Sequence, residues 1–180
     1  SAVNPYDFEE VFQRYADAGD DVVAIIFSKG MSATFQSAYI AQEKVDSDKI
    51  HLIDCENGAM GQSLLVKTAV SLRDAGKSAQ EIEDAIRKLL PQTKTYIVID
   101  TMEYLKRGGR ISKSAALIGG LMKLHPVLQV VADGAKPVDK VKGKKSCNAW
   151  LVNRLLENPA DPDYPIVIGH SNAPERAEKL

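Results

Sequence analysis

The amino-acid sequence predicts an α/β protein made of two small α/β lobes. Short apolar runs rich in β-branched residues alternate with segments of helical period, as in parallel sheets covered by helices. In the second half, Asp133-Gly134 separates two strand-like runs, which is a strong signal for a β-hairpin. We therefore expect a first lobe over residues 1–93 with a parallel sheet flanked by helices. A second lobe over residues 94–180 is expected to hold a mixed sheet that includes the hairpin.

The first lobe opens with a helix that begins at Pro5, with Asn4 as its N-cap and Gly19 as its stop. Farther on, Ser78 and Glu81 have the spacing of a capping box, which predicts the start of another helix. The remaining elements predicted in this lobe are a strand at Val22–Phe27, a helix from about Ala33 to Val45, a strand at Ile50–Ile53 and a helix at Gln62–Ala75.

The second lobe mixes strands with shorter helices. Its predicted elements are a strand at Thr95–Ile99, helices at Met102–Arg107 and Lys113–Met122, hairpin strands at Val127–Ala132 and Lys136–Val141, a helix at Ser146–Leu156, a strand at Pro165–Gly169 and a last helix from Pro174.

Composition narrows the class of protein. The chain has 180 residues, 44% of them hydrophobic and 26% charged, with a formal net charge of -1. These proportions are typical of a globular protein, and the charge gives no general electrostatic reason to expect nucleic acid or an anionic membrane as partner. No apolar run approaches the roughly 20 residues that a membrane span needs. Cys55 and Cys147 lack CxxC spacing, which predicts reduced thiols in a cytoplasmic protein. Three histidines and no cysteine cluster give a metal site little support.

Polar residues follow several predicted strands, where ligands of parallel sheets usually bind. These clusters are Ser28–Ser32, Asp54, Asp100-Thr101 and His170-Ser171. The sequence contains no phosphate-binding GxxxxGK[ST] loop, GxGxxG, GxSxG or HExxH motif. The clusters indicate where a ligand would bind, at the carboxyl ends of the strands, but they do not indicate which reaction, if any, takes place there.

Ser32 and Thr34 lie between a buried strand and a helix, so their hydroxyls are expected beside free backbone N–H groups. Hydroxyls at a helix N-terminus suit a carboxylate or a phosphate. The alternative is that Ser32 only caps the helix. Both roles are compatible if one hydroxyl caps and the other faces a ligand.

Other candidates also have two interpretations. Arg110 follows two glycines and either clamps a carboxylate or phosphate or is a solvated arginine after a helix end. Asp54 and Asp100 are either acid–base carboxylates of a small hydrolase or phosphotransferase, or caps of the turns that follow them. His170 is either a base or a structural histidine.

The second half also carries a basic run after the hairpin. It consists of Lys136, Lys140, Lys142, Lys144 and Lys145. Such a run is either a solvated face or a docking patch for an acidic partner or a nucleotide phosphate.

Three long motifs in order resemble the DegV family, the bacterial fatty-acid-binding proteins. The segment from Ser28 to Ala38, S-K-G-M-S-A-T-F-Q-S-A, resembles S-S-x-L-S-G-T-Y-Q-S-A of that family. The segment from Asp100 to Ser112 is similar to its D-T-L-E-Y-L-x-x-G-G-R-I-S, and Lys140–Lys145 is similar to its K-V-R-G-R-K. The resemblance covers essentially the whole chain.

The resemblance implies a carrier more than an enzyme. The carrier is expected to hold one long-chain fatty acid between two lobes and to need no further cofactor. It implies that the carboxylate is held by Ser32 and by the threonine of an early T-S motif, whose serine matches Ser1. It also implies a fatty acid kinase partner, which docks at the basic segment with Lys142 and Lys144.

Some positions depart from the family pattern. Ala33 replaces the usual glycine, and Lys142 and Lys144 replace arginines, which supplies point charges instead of planar forks. The chain begins inside the T-S motif and ends before the family's H-x-G-P-G segment. His170 does not correspond to the histidine of that segment. We therefore expect an excised portion of a longer protein.

Overall fold

The structure is a computed structural model that describes residues 2–101, 103–108 and 124–180. The predicted helix at Lys113–Met122 lies outside these residues. The described chain forms two compact units. The first is Ser1–Lys94 with Val131–Gly134, and the second is Thr95–Val130 with Ala135–Leu180.

The first unit is a parallel strand pair between helices. Its elements are α1 (Pro5–Ala18), β1 (Val22–Ile26), α2 (Thr34–Val45), β2 (Ile50–Asp54), α3 (Ala59–Asp74) and α4 (Ala79–Leu89), followed by a 3-10 turn at Leu90–Gln92. The register of β1 and β2 runs from Val22 opposite Ile50 to Ile26 opposite Asp54. Both strands therefore end at the same edge, where the loops of interest begin.

Alternation along β2 divides the core of this unit into two clusters. Ile50 and Leu52 pack with Phe12 of α1 and with Ala38 and Ala41 of α2. Side chains of the opposite phase pack against α3 and α4 in a second cluster, which comprises Ile53, Cys55, Leu65, Ile82 and Ile86. Burying a side chain of this size stabilises the fold by roughly 1.5–3 kcal/mol.

The predicted caps of α1 and α4 are confirmed. The Asn4 side chain accepts a hydrogen bond from the backbone N–H of Tyr6, and Gly19 ends α1 in the left-handed region at φ 79°. Ser78 and Glu81 form the reciprocal capping box of α4. Helix α3 begins at Ala59 instead of the predicted Gln62.

A polar cluster ties α4 to β2. Nδ1 of His51 lies 2.7 Å from Oε2 of Glu83, and Nε of Arg87 donates to Oε1 of the same carboxylate. Arg87 also donates to the carbonyl of Leu52. Burial raises the pKa of Glu83, but the hydrogen bonds to His51 and Arg87 outweigh it and lower the pKa below its usual value.

The second unit contains a three-stranded sheet in the order β3-β4-β5. Its elements are β3 (Thr95–Val98), α5 (Glu103–Arg107), β4 (Leu124–Val131), β5 (Gly134–Lys142), α6 (Lys144–Glu157) and α7 (Pro174–Ala177). β3 and β4 are antiparallel, with Thr95 opposite Val130. The α/β class, the helix-flanked parallel strands and the predicted hairpin are confirmed.

The strand predicted at Pro165–Gly169 is wrong, because this segment forms no strand in the structure. Ile166 and Ile168 are 58% and 47% exposed, so their apolar side chains have no sheet to cover. A β-branched run becomes a strand only when another strand pairs with its backbone. The sheet of the second unit, which was expected to be mixed, is antiparallel over the strands that the structure describes.

Candidate functional site

A tight turn follows β1 at the edge where both parallel strands end. The carbonyl of Ser28 accepts hydrogen bonds from the backbone N–H groups of Met31, at 3.0 Å, and Ser32, at 3.1 Å. The Ser28 side chain is fully buried, and its Oγ donates to the carbonyl of Ala132 at 3.1 Å. The same Oγ accepts from the N–H of Gly30. Ser28 therefore anchors the turn that carries Ser32.

Gly30 is required by a close backbone approach within the same unit. A Cβ at this position would lie 2.4 Å from the carbonyl oxygen of Ala132 and 2.5 Å from the carbonyl carbon of Asp133. Both atoms belong to backbone, so no side-chain rotation relieves the overlap. The sequence shows a glycine in a polar turn, but it does not show which distant segment comes so near.

Ser32 and Thr34 form a hydroxyl pair at the start of α2. Their oxygens are 2.9 Å apart, and Ser32 Oγ also accepts from the backbone N–H of Thr34 at 3.2 Å. Both residues are half-buried. The residue directly before α2, Ala33, supplies no side-chain cap, and the first helical turn contains no acidic residue. Ser32 is thus not the N-cap residue that was one of its two predicted roles, although its hydroxyl accepts from the first N–H of α2. Its place beside Thr34 leaves the anion-binding role open.

The beginning of the chain also reaches this pair. The backbone N–H of Val3 donates to Thr34 Oγ1 at 3.4 Å. The early motif that contains Ser1 is therefore only two residues away from a contact with the hydroxyl pair. Ser1 and Arg110 themselves lie outside the described residues.

Asp54 joins the two loops that follow β1 and β2. Its Oδ1 accepts from the N–H of Lys29 at 3.3 Å and from that of Glu56 at 3.0 Å. The ammonium of Lys29 lies 3.6 Å from Oδ2. These contacts are those of a turn cap, which was one of its two predicted roles.

Neither cysteine is poised as a nucleophile. The buried Sγ of Cys55 donates to the carbonyl of Asn57, and burial raises the pKa of this thiol to about 11. Burial also raises the pKa of Cys147. Because the thiolate is the reactive form, both side chains are unreactive near neutral pH.

In the second unit, Asp100 and His170 are held in separate structural contacts. The Asp100 carboxylate pairs with Arg176 and lies 3.3 Å from Nδ1 of His125. Nδ1 of His170 accepts a hydrogen bond from the backbone N–H of Ala173, just before α7. The contact of His170 agrees with the structural role that the sequence left open for it, whereas the contacts of Asp100 are ion pairs and not those of the predicted turn cap.

Lys142 ends β5 and Lys144 begins α6, on either side of Gly143, and both side chains are exposed. Within the described ranges, neither lysine has an ion-pair partner. Lys144 also borders an open pocket of about 530 Å³. Its other lining residues include Lys145, Asn148, Arg176 and Lys179.

Two further features concern only the residues that the structure describes. None of their helices is both long and apolar enough to cross a bilayer. No three of their His, Cys, Asp and Glu side chains lie together in a way that would hold a metal ion.

With this geometry in place, comparison with known proteins identifies the family. The sequence profile of the DegV family, described as a family of uncharacterised proteins, matches residues 1–180. The chain belongs to the DegV family. The resemblance seen in the motifs is thereby confirmed.

Curated DegV relatives are longer than this chain. A DegV domain-containing protein of Lactococcus lactis is 37% identical over 186 residues, covering all of this chain and 64% of the relative. One from Clostridium perfringens is 35% identical over 187 residues, again covering all of this chain and 64% of the relative. The chain thus spans less than two thirds of the length of these relatives.

Solved DegV structures share the fold. A protein of Streptococcus agalactiae, described as a fatty-acid-binding DegV family protein, has a TM-score of 0.88 at 25% identity, covering 99% of this chain and 64% of the other. DegV of Bacillus subtilis, described as a fatty acid binding protein, has a TM-score of 0.73 at 26% identity, covering 86% of this chain and 55% of the other.

Proposed function

We propose that the protein is a carrier that binds a long-chain fatty acid, with the acid's carboxylate at the Ser32/Thr34 hydroxyl pair. The descriptions of the Streptococcus agalactiae and Bacillus subtilis relatives as fatty-acid-binding proteins support the class of ligand. The hydroxyl pair supports the position of its head group.

A count of hydrogen-bond donors carries the argument for this position. Two hydroxyls supply two O–H donors, and the contact between Ser32 and Thr34 uses one of them. Among the described residues no acceptor takes the second O–H, which leaves it for a ligand oxygen. A carboxylate needs several donors when it leaves water, and an available O–H beside the start of a helix supplies part of that need.

The acyl chain supplies most of the binding free energy in this proposal. Burying about 15 methylenes at about 0.8 kcal/mol each yields roughly 12 kcal/mol before the cost of immobilisation. Several kcal/mol are lost when ligand and protein are ordered, which still leaves tight binding. The head-group contacts then mainly select for a carboxylate.

Further residues and a partner complete the proposal. We propose that Ser1 and Arg110 add contacts to the carboxylate, and that residues 1–93 and 94–180 belong to separate lobes. Lys142 and Lys144 are exposed and have no ion-pair partner among the described residues, which supports a docking role towards a fatty acid kinase that would phosphorylate the presented carboxylate. An enzyme would need Asp54, Asp100 and His170 as reactive groups. All three are instead held in structural contacts, which agrees with a carrier role.

The experiment uses the protein at its full natural length. Native mass spectrometry of the purified protein is expected to show a bound mass that extraction identifies as a long-chain fatty acid. Ser32→Ala is expected to weaken fatty acid binding by about 1–3 kcal/mol, or roughly fivefold to 150-fold in Kd.

Ser78→Ala is the matched control, because it also removes a serine whose hydroxyl accepts from a helix N-terminal N–H. Both substitutions are expected to lower stability by roughly 0.5–2 kcal/mol, while only Ser32→Ala weakens fatty acid binding. A protein that binds no fatty acid would refute the proposed ligand. If Ser32→Ala and Ser78→Ala bind the fatty acid with equal Kd, Ser32 only stabilises the start of α2 and does not contact the ligand.

A further inference from the structure

Lys29 places a positive charge near the N-terminal end of α2, where the hydroxyl pair lies. It is the second residue of the tight turn, and its ammonium lies 6.0 Å from the centre of the Phe35 ring. Phe35 directly follows Thr34 in the first turn of α2. The DegV segment quoted above has serine at the position of Lys29, so this charge distinguishes the present chain from that pattern.

A buried negative charge lies under the same turn. The Asp54 side chain is only 10% exposed. Among the described residues its Oδ2 has no hydrogen-bond partner, although it is inaccessible to water. A charge buried in this way is costly unless another charge offsets it, and it would repel an anionic head group bound nearby.

Lys29 offsets this charge through a loose contact. The separation of 3.6 Å from Asp54 Oδ2 is longer than a charge-assisted hydrogen bond, and the Lys29 side chain is 65% exposed. Only the lysine end of this pair is exposed, and the flexible lysine stem lets the ammonium face solvent while it stays next to the buried carboxylate. The exposed side of the ammonium can therefore attract an anion that arrives at the start of α2 while Lys29 still offsets Asp54.

We propose that Lys29 is a specificity residue that makes the Ser32/Thr34 site select ionised acyl ligands over uncharged ones. Its ammonium offsets the Asp54 carboxylate and attracts the ligand's carboxylate. This inference rests on the proposed function, because it assigns the charge preference of that same site.

The experiment compares two ligands of equal chain length in the protein at its full natural length. Tetradecanoic acid and 1-tetradecanol compete with a fluorescent acyl probe, at a pH at which the acid is ionised. Lys29→Met is expected to raise the Kd of the acid about fivefold or more and to leave the Kd of the alcohol unchanged. The salt dependence of acid binding is expected to fall as well, since one screened attraction is removed.

Two further variants serve as controls. Lys29→Arg keeps the charge and is expected to keep the preference for the acid. Lys49→Met removes another lysine that pairs with an aspartate, Asp21, at 3.6 Å, but it lies next to the opposite end of β2. We expect Lys49→Met to bind both ligands like the wild type.

Each other outcome contradicts the inference in its own way. If Lys29→Met weakens the acid and the alcohol equally, Lys29 supports the turn without reading charge, and the inference is wrong. An unchanged Kd for the acid also overturns it and leaves the proposed function standing. If the wild type binds neither ligand, the proposed function is wrong and the inference falls with it.

Discussion

Gly30→Ala tests whether the turn under the candidate site has the packing described above. A Cβ at Gly30 would lie 2.4 Å from the Ala132 oxygen, 2.5 Å from the Asp133 carbonyl carbon and 2.6 Å from the Asp133 Cα. Because all three atoms are backbone, one of the two segments has to move. Forcing an extra methyl into a packed region costs about 1–3 kcal/mol.

The same movement strains a second interaction. Ser28 Oγ donates to the Ala132 carbonyl, and loss of this buried hydrogen bond costs about 1 kcal/mol more. Gly30 does not have a positive φ, so alanine adds no backbone strain of its own. The free energy of unfolding is therefore expected to fall by about 2–4 kcal/mol.

Urea denaturation followed by circular dichroism measures the change, and Gly58→Ala is the matched control. A Cβ at Gly58 would approach Cε2 of Phe27 at 2.3 Å, but a side-chain ring can shift where backbone cannot. We expect Gly58→Ala to cost less than Gly30→Ala. A Gly30→Ala protein as stable as the wild type, or more stable than Gly58→Ala, would refute the reasoning.

Two further predictions concern charge. Burial raises the pKa of Glu83, but the hydrogen bonds to His51 and Arg87 lower it below its usual value. Its stabilising contribution should be complete above the unfolded pKa, near 4.5, and should disappear as pH falls through the lower folded value. The difference in unfolding free energy between wild type and Glu83→Gln should therefore shrink on acidification; a difference that grows would contradict this. The double variant Lys142→Glu/Lys144→Glu should abolish capture of the protein by an immobilised fatty acid kinase while fatty acid binding is kept. Lys67→Glu, on an exposed helix face, is its control, and kinase capture by the double variant would refute the docking role.

Local signals explain the part of the fold that the sequence predicted well. Asn4 and Gly19 bound α1 through contacts with residues near them in sequence. The capping box of Ser78 and Glu81 has the same local character. Successive side chains of β2 point to opposite faces and so enter two different clusters. The sequence pattern therefore also predicts the parallel strands β1 and β2.

Long-range contacts explain what the sequence could not show. Ser28 and Gly30 owe their roles to residues 132 and 133, about a hundred positions away along the chain. The segment at Pro165–Gly169 has the composition of a strand, yet pairing with another strand decides the outcome and the segment forms none. The sequence alone does not single out Lys29, because the role of its charge depends on its position beside the buried Asp54.

The central claim is that the Ser32/Thr34 pair holds the carboxylate of a bound fatty acid. A crystal structure of the full-length protein with hexadecanoic acid tests it most directly, through the distance from a carboxylate oxygen to Ser32 Oγ or Thr34 Oγ1. The account predicts a separation of about 2.5–3.0 Å to at least one hydroxyl. A bound acid whose carboxylate lies elsewhere, with the two hydroxyls still bonded only to each other and to backbone, would contradict it.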